Sequence, residues 1–439
     1  MENLADQLKN KLNLTENSIQ KVEKIAVNDK DIVVNEQSYE NVKVKDYYVE
    51  NGEEEEENKK FFSSEEFHDN IRRGLSVIED LEKNTKEVLR KGHKKFDDLT
   101  KSKFKIWLGR FLDQNFIKDK IQEIKAIDKK QLSENPQQHI LKKYPVKFEE
   151  FSTMFIYRTV KDDGTCSQIS YCRSAQAWII CTKNESLLLK QKKEAEKIGK
   201  QYNFIKAMAL IWFDYLESLN KELKEELQKY LSDKTLLAEL CGGVAKQYVK
   251  YGPNPVLICF SIVNNYSDDI CLSPPEAEIV FQKFNLKYRQ YQKTNECDNY
   301  RDFYQIFKQI NVEVNNSSFL EKGEGEVLYI CGRPKLNPEQ IVVLKMAKAK
   351  TIEYKIIKEG EKYVSRLNYV KSETSQNLIK HFIEILHNLP QIKTLKISTG
   401  YLASTIRLMQ NNKIKINEQN IKDFIIKEFG EEKLNILQS

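Results

Sequence analysis

Apolar positions along the chain change their spacing twice, and the changes divide it into three stretches. From Ser64 to about Ile127 there is no Pro and little Gly. Ile71, Leu75, Ile78 and Leu81 recur every three or four residues, and Phe104, Trp107, Leu108, Phe111 and Leu112 continue the stripe. That period predicts helices with one buried face. Near Tyr144–Pro145 the character shifts to short apolar runs at Met154–Val160, Ser167–Cys172 and Ala177–Thr182, which predict strands. A strongly charged segment from about Ser186 to Leu231 is helical in pattern, with Phe204, Met208, Ile211, Trp212 and Leu216 on one side. Strands are expected again at Leu236–Leu240, Val256–Val263, Val327–Cys331 and Ile341–Met346. Helices follow beyond Tyr363, including Ser375–Leu389 and Asn420–Phe429. The order is helical, then mixed α+β, then helical, with no internal repeat.

Charge and composition refine this outline. Residues 1–60 end in the like-charged run ENGEEEEEN, which repels itself and stays hydrated, so they are expected to be a flexible acidic leader. Across 439 residues, 40% hydrophobic content suffices for packed cores, while 31% charge and a mean hydropathy of −0.61 describe a water-exposed surface. The net charge of +6 permits a polyanionic partner without demanding one. None of the eight cysteines forms a Cys-x-x-Cys pair and no histidine cluster accompanies them, so zinc is not expected. Their apolar surroundings predict buried free thiols in a reducing compartment. The opening MENLADQLKN is polar and carries acidic residues, unlike a secretory or mitochondrial signal. VLICFSIV at Val256–Val263 is too short to span a bilayer. A monomer without a membrane partner, in cytoplasm or nucleus, is expected.

The tetrapeptide Lys161-Asp162-Asp163-Gly164 carries the first candidate chemistry. It closes the apolar run MFIYRTV and precedes the alternating TCSQISY. A lysine fixed at such a strand–loop–strand junction is partly desolvated, which favours its neutral, nucleophilic amine. The glycine lets the backbone turn close to a ligand. No Gly-x-x-x-x-Gly-Lys-Ser/Thr is present, which excludes a P-loop enzyme as the simple alternative.

Lys161-Asp162-Asp163-Gly164-Thr165, with the strand after it, resembles the nucleotide-binding motif of ATP-dependent polynucleotide ligases and mRNA capping enzymes. Further pieces follow in the family's order. Trp178–Lys183 is similar to the strand ending in a lysine of phage-type RNA ligases. Leu237-Ala238-Glu239-Leu240 resembles the apolar–Glu–apolar strand, and Tyr251 stands at the family's offset from the acid. Glu324-Gly325-Glu326-Val327 is similar to the Glu-Gly strand motif, and Lys348-x-Lys350 to the closing pair of lysines, with Lys345 competing for the first place. Departures are Gly243 and Ala245 in place of Pro and Asn, Lys246 in place of Arg, and Glu326 at a usually apolar position.

The resemblance covers roughly residues 141–365 and implies an α+β nucleotidyltransferase domain of antiparallel sheets and helices. Helical regions at 61–140 and 366–439 would flank it. It implies an ATP-dependent RNA ligase or RNA-repair enzyme in which Lys161 takes up AMP, which then passes to an RNA 5′-phosphate that a 3′-hydroxyl attacks. Asp163, Gly164, Lys183, Glu239, Glu324, Lys348 and Lys350 would bind the nucleotide, and Glu239 and Glu324 would hold Mg²⁺. RNA, such as tRNA or broken ends, is the implied partner. The basic stretch Arg366–Lys415, with Lys393, Lys396 and Arg407, is the candidate for its phosphates. The alternative is a catalytically impaired descendant that binds RNA or a protein.

Overall fold

The computed structural model describes residues 19–29, 31–49, 70, 72–99, 104, 107–108, 150–243, 247, 249, 251–267, 269–317, 323–351 and 354. The chain forms two compact units. The first comprises Met1–Tyr304 with Val327–Lys348, the second Gln305–Glu326 with Ala349–Ser439. The fold is mixed α+β with mainly antiparallel sheets. Among the described residues no helix is long and apolar enough to cross a membrane.

Three sheets organise the described residues. The first is a meander, in order β1 (Ile32–Tyr39), β2 (Val42–Val49), β3 (Leu75–Asp80) and β4 (Thr85–Lys91). Strand β5 (Asp97–Asp98) follows it, then β6 (Phe151–Lys161), β7 (Thr165–Cys172), β8 (Ala177–Cys181) and β9 (Ser186–Leu189). Next come β10 (Lys234–Cys241), β11 (Val256–Asn264), β12 (Gln292–Lys293), β13 (Gly325–Pro334) and β14 (Val342–Lys350). The second sheet runs β11-β10-β7-β8-β9, the third β12-β6-β13-β14-β5. Besides a helix over 19–28 and a short one at Lys192–Glu196, the described helices include α1 (Asn203–Ser218), α2 (Lys221–Tyr230), α3 (Pro274–Lys283) and α4 (Tyr300–Asn316). Caps set the starts of α2 and α3. The Asn220 side chain accepts from the Leu223 N–H at 2.8 Å, and the Glu276 carboxylate accepts from the Ser273 N–H at 3.0 Å just before Pro274.

The second sheet is buried on both faces, which explains the unbroken apolar sequence AWIIC of β8. Trp178 and Ile180 join a core with Met208, Trp212 and Leu216 of α1, together with Leu236, Ala238 and Leu240 of β10. On the opposite face Ala177, Ile179 and Cys181 pack against Val42, Val44, Ile78 and Leu89 of the first sheet. Successive side chains of a strand point to opposite faces, so each core takes every second residue. Leu237 of β10 is turned to a third core, with Phe155, Tyr157, Tyr329 and Val343 of the third sheet. Glu239, two residues on, shares the face of Leu237.

The strands expected from Met154 to Cys181, and at 236–240, 256–263, 327–331 and 341–346, are present as β6, β7, β8, β10, β11, β13 and β14. The N-terminal expectation needs correction: residues 75–80 and 85–91 are paired strands, not helix. Leu75 and Val77 face a core with Ile19, Val22, Tyr47 and Val88, while Ile78 faces the second sheet. With both faces covered, the alternation of a half-exposed strand is lost and a helical spacing remains. The hairpin turn holds Asn84 at φ 51°, and the Asp80 carboxylate accepts from the Glu82 and Lys83 N–H groups at 3.1 Å. Leu81, read as a core position, is 53% exposed in that turn.

Residues 19–29 and 31–49 likewise carry regular structure within the supposed leader: a helix over 19–28, and the β1–β2 hairpin turning at Glu40. Ser186 begins strand β9, not the long helix, since Ser186–Leu189 pair with β8. The helices expected beyond Tyr363 lie outside the described residues.

Candidate active site

Lys161 ends β6 in the third sheet, and Thr165 begins β7 in the second. The tetrapeptide Lys161-Asp162-Asp163-Gly164 is therefore the crossover between two sheets of the first unit. Apolar runs on either side enter different cores, and a short Asp-Asp-Gly link between them keeps the lysine at the junction. Asp162 and Asp163 are buried, while Lys161 is half-buried.

Three neighbours hold the crossover. The first is β10, where Glu239 pairs with Cys166 and Leu240 with Thr165. Gly164 sits so close to β10 that an added β-carbon would stand 2.4 Å from the Leu240 carbonyl oxygen and 2.8 Å from Glu239 Cγ. Here the glycine is required by close approach, not by its dihedral angles. The second neighbour is Tyr251 in the loop after β10. Its hydroxyl accepts from the Asp163 N–H at 2.8 Å and donates to Asp162 Oδ1 at 3.1 Å. That loop is braced by Gln247, which accepts from the Gly242 N–H at 2.7 Å and donates to the Leu240 carbonyl at 3.0 Å. The third is Arg289, whose Nη2 donates to Asp162 Oδ1 at 2.8 Å and whose Nε donates to Oδ2 at 3.1 Å.

The electrostatics agree with this crowding. Burial, followed by the charge of Asp162, pushes the Tyr251 phenol above its usual range. Burial, then Asp162 and Glu239, raises the Cys241 thiol. Burial and Glu239 push Cys166 up to about 11. These thiols stay protonated at neutral pH, so neither competes with a lysine as nucleophile.

Lys183 lies at the same end of the second sheet. Cys181 pairs with Gln168 on β7, and Lys183 follows two residues later in a turn. The Thr182 hydroxyl accepts from the Asn184 and Glu185 N–H groups at 3.3 and 3.2 Å, and the Thr182 carbonyl accepts from Arg90 Nη1 at 2.6 Å. The structure thus brings Lys161, Asp163, Gly164 and Glu239 into one crossover region and puts Lys183 at the same sheet end.

Lys348 lies on β14 opposite Asp98 in a parallel pairing, and its carbonyl accepts from the Leu99 N–H at 3.0 Å. Lys345, the competitor, holds its Nζ 5.9 Å from the Trp107 ring centre. In the second unit Glu324 and Lys350 form a largely buried ion pair of 3.0 Å, and the Lys350 Nζ also lies 4.9 Å from the Tyr354 ring centre. Glu326 is 2% exposed, so the charged residue at the family's apolar position is buried. Lys246, Lys393, Lys396 and Arg407 lie outside the described residues. The sequence reading missed Arg289 and the hydrogen bonds of Tyr251. Arg289 had no local signal, because it is 127 positions from its partner.

No protein-family model matches the sequence, and no curated protein matches it. The structure is similar to those of RNA ligases. An archaeal ATP-dependent RNA ligase aligns over 99% of this chain and 91% of its own, at 10% identity and a TM-score of 0.46. A second form of an archaeal ATP-dependent RNA ligase gives 10% identity and 0.46 over 98% and 91%. An RNA ligase of Naegleria gruberi, a variant with ATP and Mn, aligns at 16% identity with a TM-score of 0.33. That alignment takes in 47% of this chain and 52% of the other, about half of each.

Proposed function

We propose that the chain is an ATP-dependent RNA ligase whose first step is transfer of AMP to Lys161. One observation carries this: a half-buried lysine ends a strand at a sheet-to-sheet crossover, beside two buried aspartates and packed through Gly164 against Glu239. The Lys161 amine attacks the α-phosphorus of ATP and a P–N bond forms. The bond from that phosphorus to the bridging oxygen breaks, pyrophosphate leaves with the electron pair, and the amine gives its proton to solvent.

Among the described residues no group of three or more His, Cys, Asp or Glu could hold a metal ion by itself. Mg²⁺ carried on a nucleotide needs only one or two protein carboxylates besides phosphate oxygens, and Glu239 beside the crossover suits that donor set. The ion would withdraw charge from the transferring phosphate. Lys183, at the same sheet end, is proposed as a phosphate contact. Roles for Glu324, Lys348 and Lys350 toward the nucleotide, and for RNA 5′-phosphate and 3′-hydroxyl ends as substrates, rest on the sequence resemblance.

The test is incubation with α-labelled ATP and Mg²⁺ followed by denaturing electrophoresis. Label should stay with the wild-type protein and be absent from Lys161→Ala. A second reading, a descendant that binds RNA or a protein without catalysis, draws support from the buried Glu326. A wild-type protein that binds RNA, never retains label and binds equally well as Lys161→Ala would establish that reading instead.

A further inference from the structure

The crossover at residues 161–164 has a counterpart that returns between the same two sheets. The Cys259 N–H of β11 donates to the Lys287 carbonyl at 2.7 Å, and Cys259 bridges to Tyr288, so the return segment starts on the edge of the second sheet. Gln292 and Lys293 then pair with Arg158 and Tyr157 of β6, and the Thr294 N–H donates to the Ile156 carbonyl at 2.9 Å, on the edge of the third. Arg289 stands between these anchorages. Its side chain reaches the first crossover and grips Asp162 through both Nε and Nη2.

The pair is unequal in exposure. The Asp162 side chain is 6% exposed and that of Arg289 42% exposed. A two-pronged guanidinium–carboxylate contact fixes direction as well as distance, unlike a point-charge contact. Without Arg289, the Asp162 carboxylate would keep only the Tyr251 hydroxyl among these side-chain contacts. A buried carboxylate deprived of its cation is strongly destabilised and turns toward water. Asp162 shares a peptide bond with Lys161, so its turning would re-aim the lysine.

From this we infer that Arg289 is a positioning residue for Lys161, acting through Asp162. The assignment deepens the adenylylation proposed above and rests on it for its kinetic consequence. Misplacing a reacting group by about 1 Å costs on the order of 100-fold in rate.

The experiment uses the full chain in single-turnover labelling over a range of ATP concentrations. Arg289→Ala should slow the rate at saturating ATP by roughly 100-fold and leave the half-saturating ATP concentration within about twofold. Arg289→Lys, which keeps charge without the fork, should recover part of the rate. Asp162→Asn should be slow by itself, and adding Arg289→Ala to it should cost little more, because both changes break one contact. An unchanged saturated rate in Arg289→Ala, a change confined to half-saturation, or additive effects of the two changes would overturn the assignment.

A measurement without ATP separates its failure from failure of the proposed function. Acetylation of Lys161 by an amine-reactive ester is followed by peptide mass spectrometry, with the 89%-exposed Lys221 as reference. Arg289→Ala and Asp162→Asn should change the Lys161 rate and leave Lys221 alone. If wild-type protein takes no label from ATP but Lys161 reactivity follows Arg289, the positioning stands and the adenylylation falls. Lys161 reactivity indifferent to both substitutions rejects the positioning. Asp162→Asn is nearly isosteric, so the test survives if Arg289→Ala fails to fold.

Discussion

The guanidinium of Arg90 and the carboxylate of Asp46, 0% and 1% exposed, face each other at 3.3 Å between the first and second sheets. Arg90 Nε donates to Ser76 Oγ at 2.8 Å, and Nη1 reaches the Thr182 carbonyl. Asp46 Oδ2 accepts from the Ser186 N–H at 3.0 Å and its hydroxyl at 2.7 Å. The pair thus clamps both ends of the turn that carries Lys183.

Removing one partner leaves a desolvated charge, so Asp46→Ala should destabilise the protein by about 3–5 kcal/mol. The double replacement Asp46→Leu with Arg90→Met should cost less, because no ion is then stranded. Denaturant titration followed by tryptophan fluorescence would check this, and a double variant weaker than Asp46→Ala would refute it.

Gly164→Ala should be damaging out of proportion to one methyl group. The new β-carbon would lie 2.4 Å from the Leu240 carbonyl oxygen, a backbone atom that cannot rotate away. Overpacking of this kind costs roughly 1–3 kcal/mol. The forced shift would also part the crossover from Glu239, so adenylate labelling should fall about 10-fold or more. Labelling and melting temperature measured together decide the matter, and a variant like wild type in both would show that β10 yields freely.

His93 should give the protein an acid-sensitive stability. Burial, then the charge of Arg72, lowers its pKa from 6.5 to about 3. Below pH 6.5 the unfolded chain takes up this proton while the folded chain does not, so stability declines as pH falls from 6.5 toward 3. The ring stacks on Phe260 with centres 6.1 Å apart, so His93→Phe keeps the packing and removes the titration. Between pH 6.5 and 4 the variant's melting temperature should fall less steeply than that of wild type. Parallel curves would show that His93 is not responsible.

How much could be read from the chain depends on what each segment reports locally. The strands flanking Lys161 were legible because two apolar runs enter separate cores and a polar Asp-Asp-Gly link turns between them. The β1–β2 hairpin is masked in the sequence by the acidic run that follows it. Strands β3 and β4 were misread because Ile78 is covered as fully as Leu75 and Val77, and burial on both faces erases the period of two.

Local patterning along the chain sufficed for the β6–β7 junction, the apolar strands that frame it and the residue types of the candidate site. Long-range packing alone reveals that Gly164 meets Glu239, that Tyr251 and Arg289 converge on Asp162, and that Arg90 reaches the turn of Lys183. Periodicity along a chain records whether a face is covered, whereas a contact depends on which distant segment covers it.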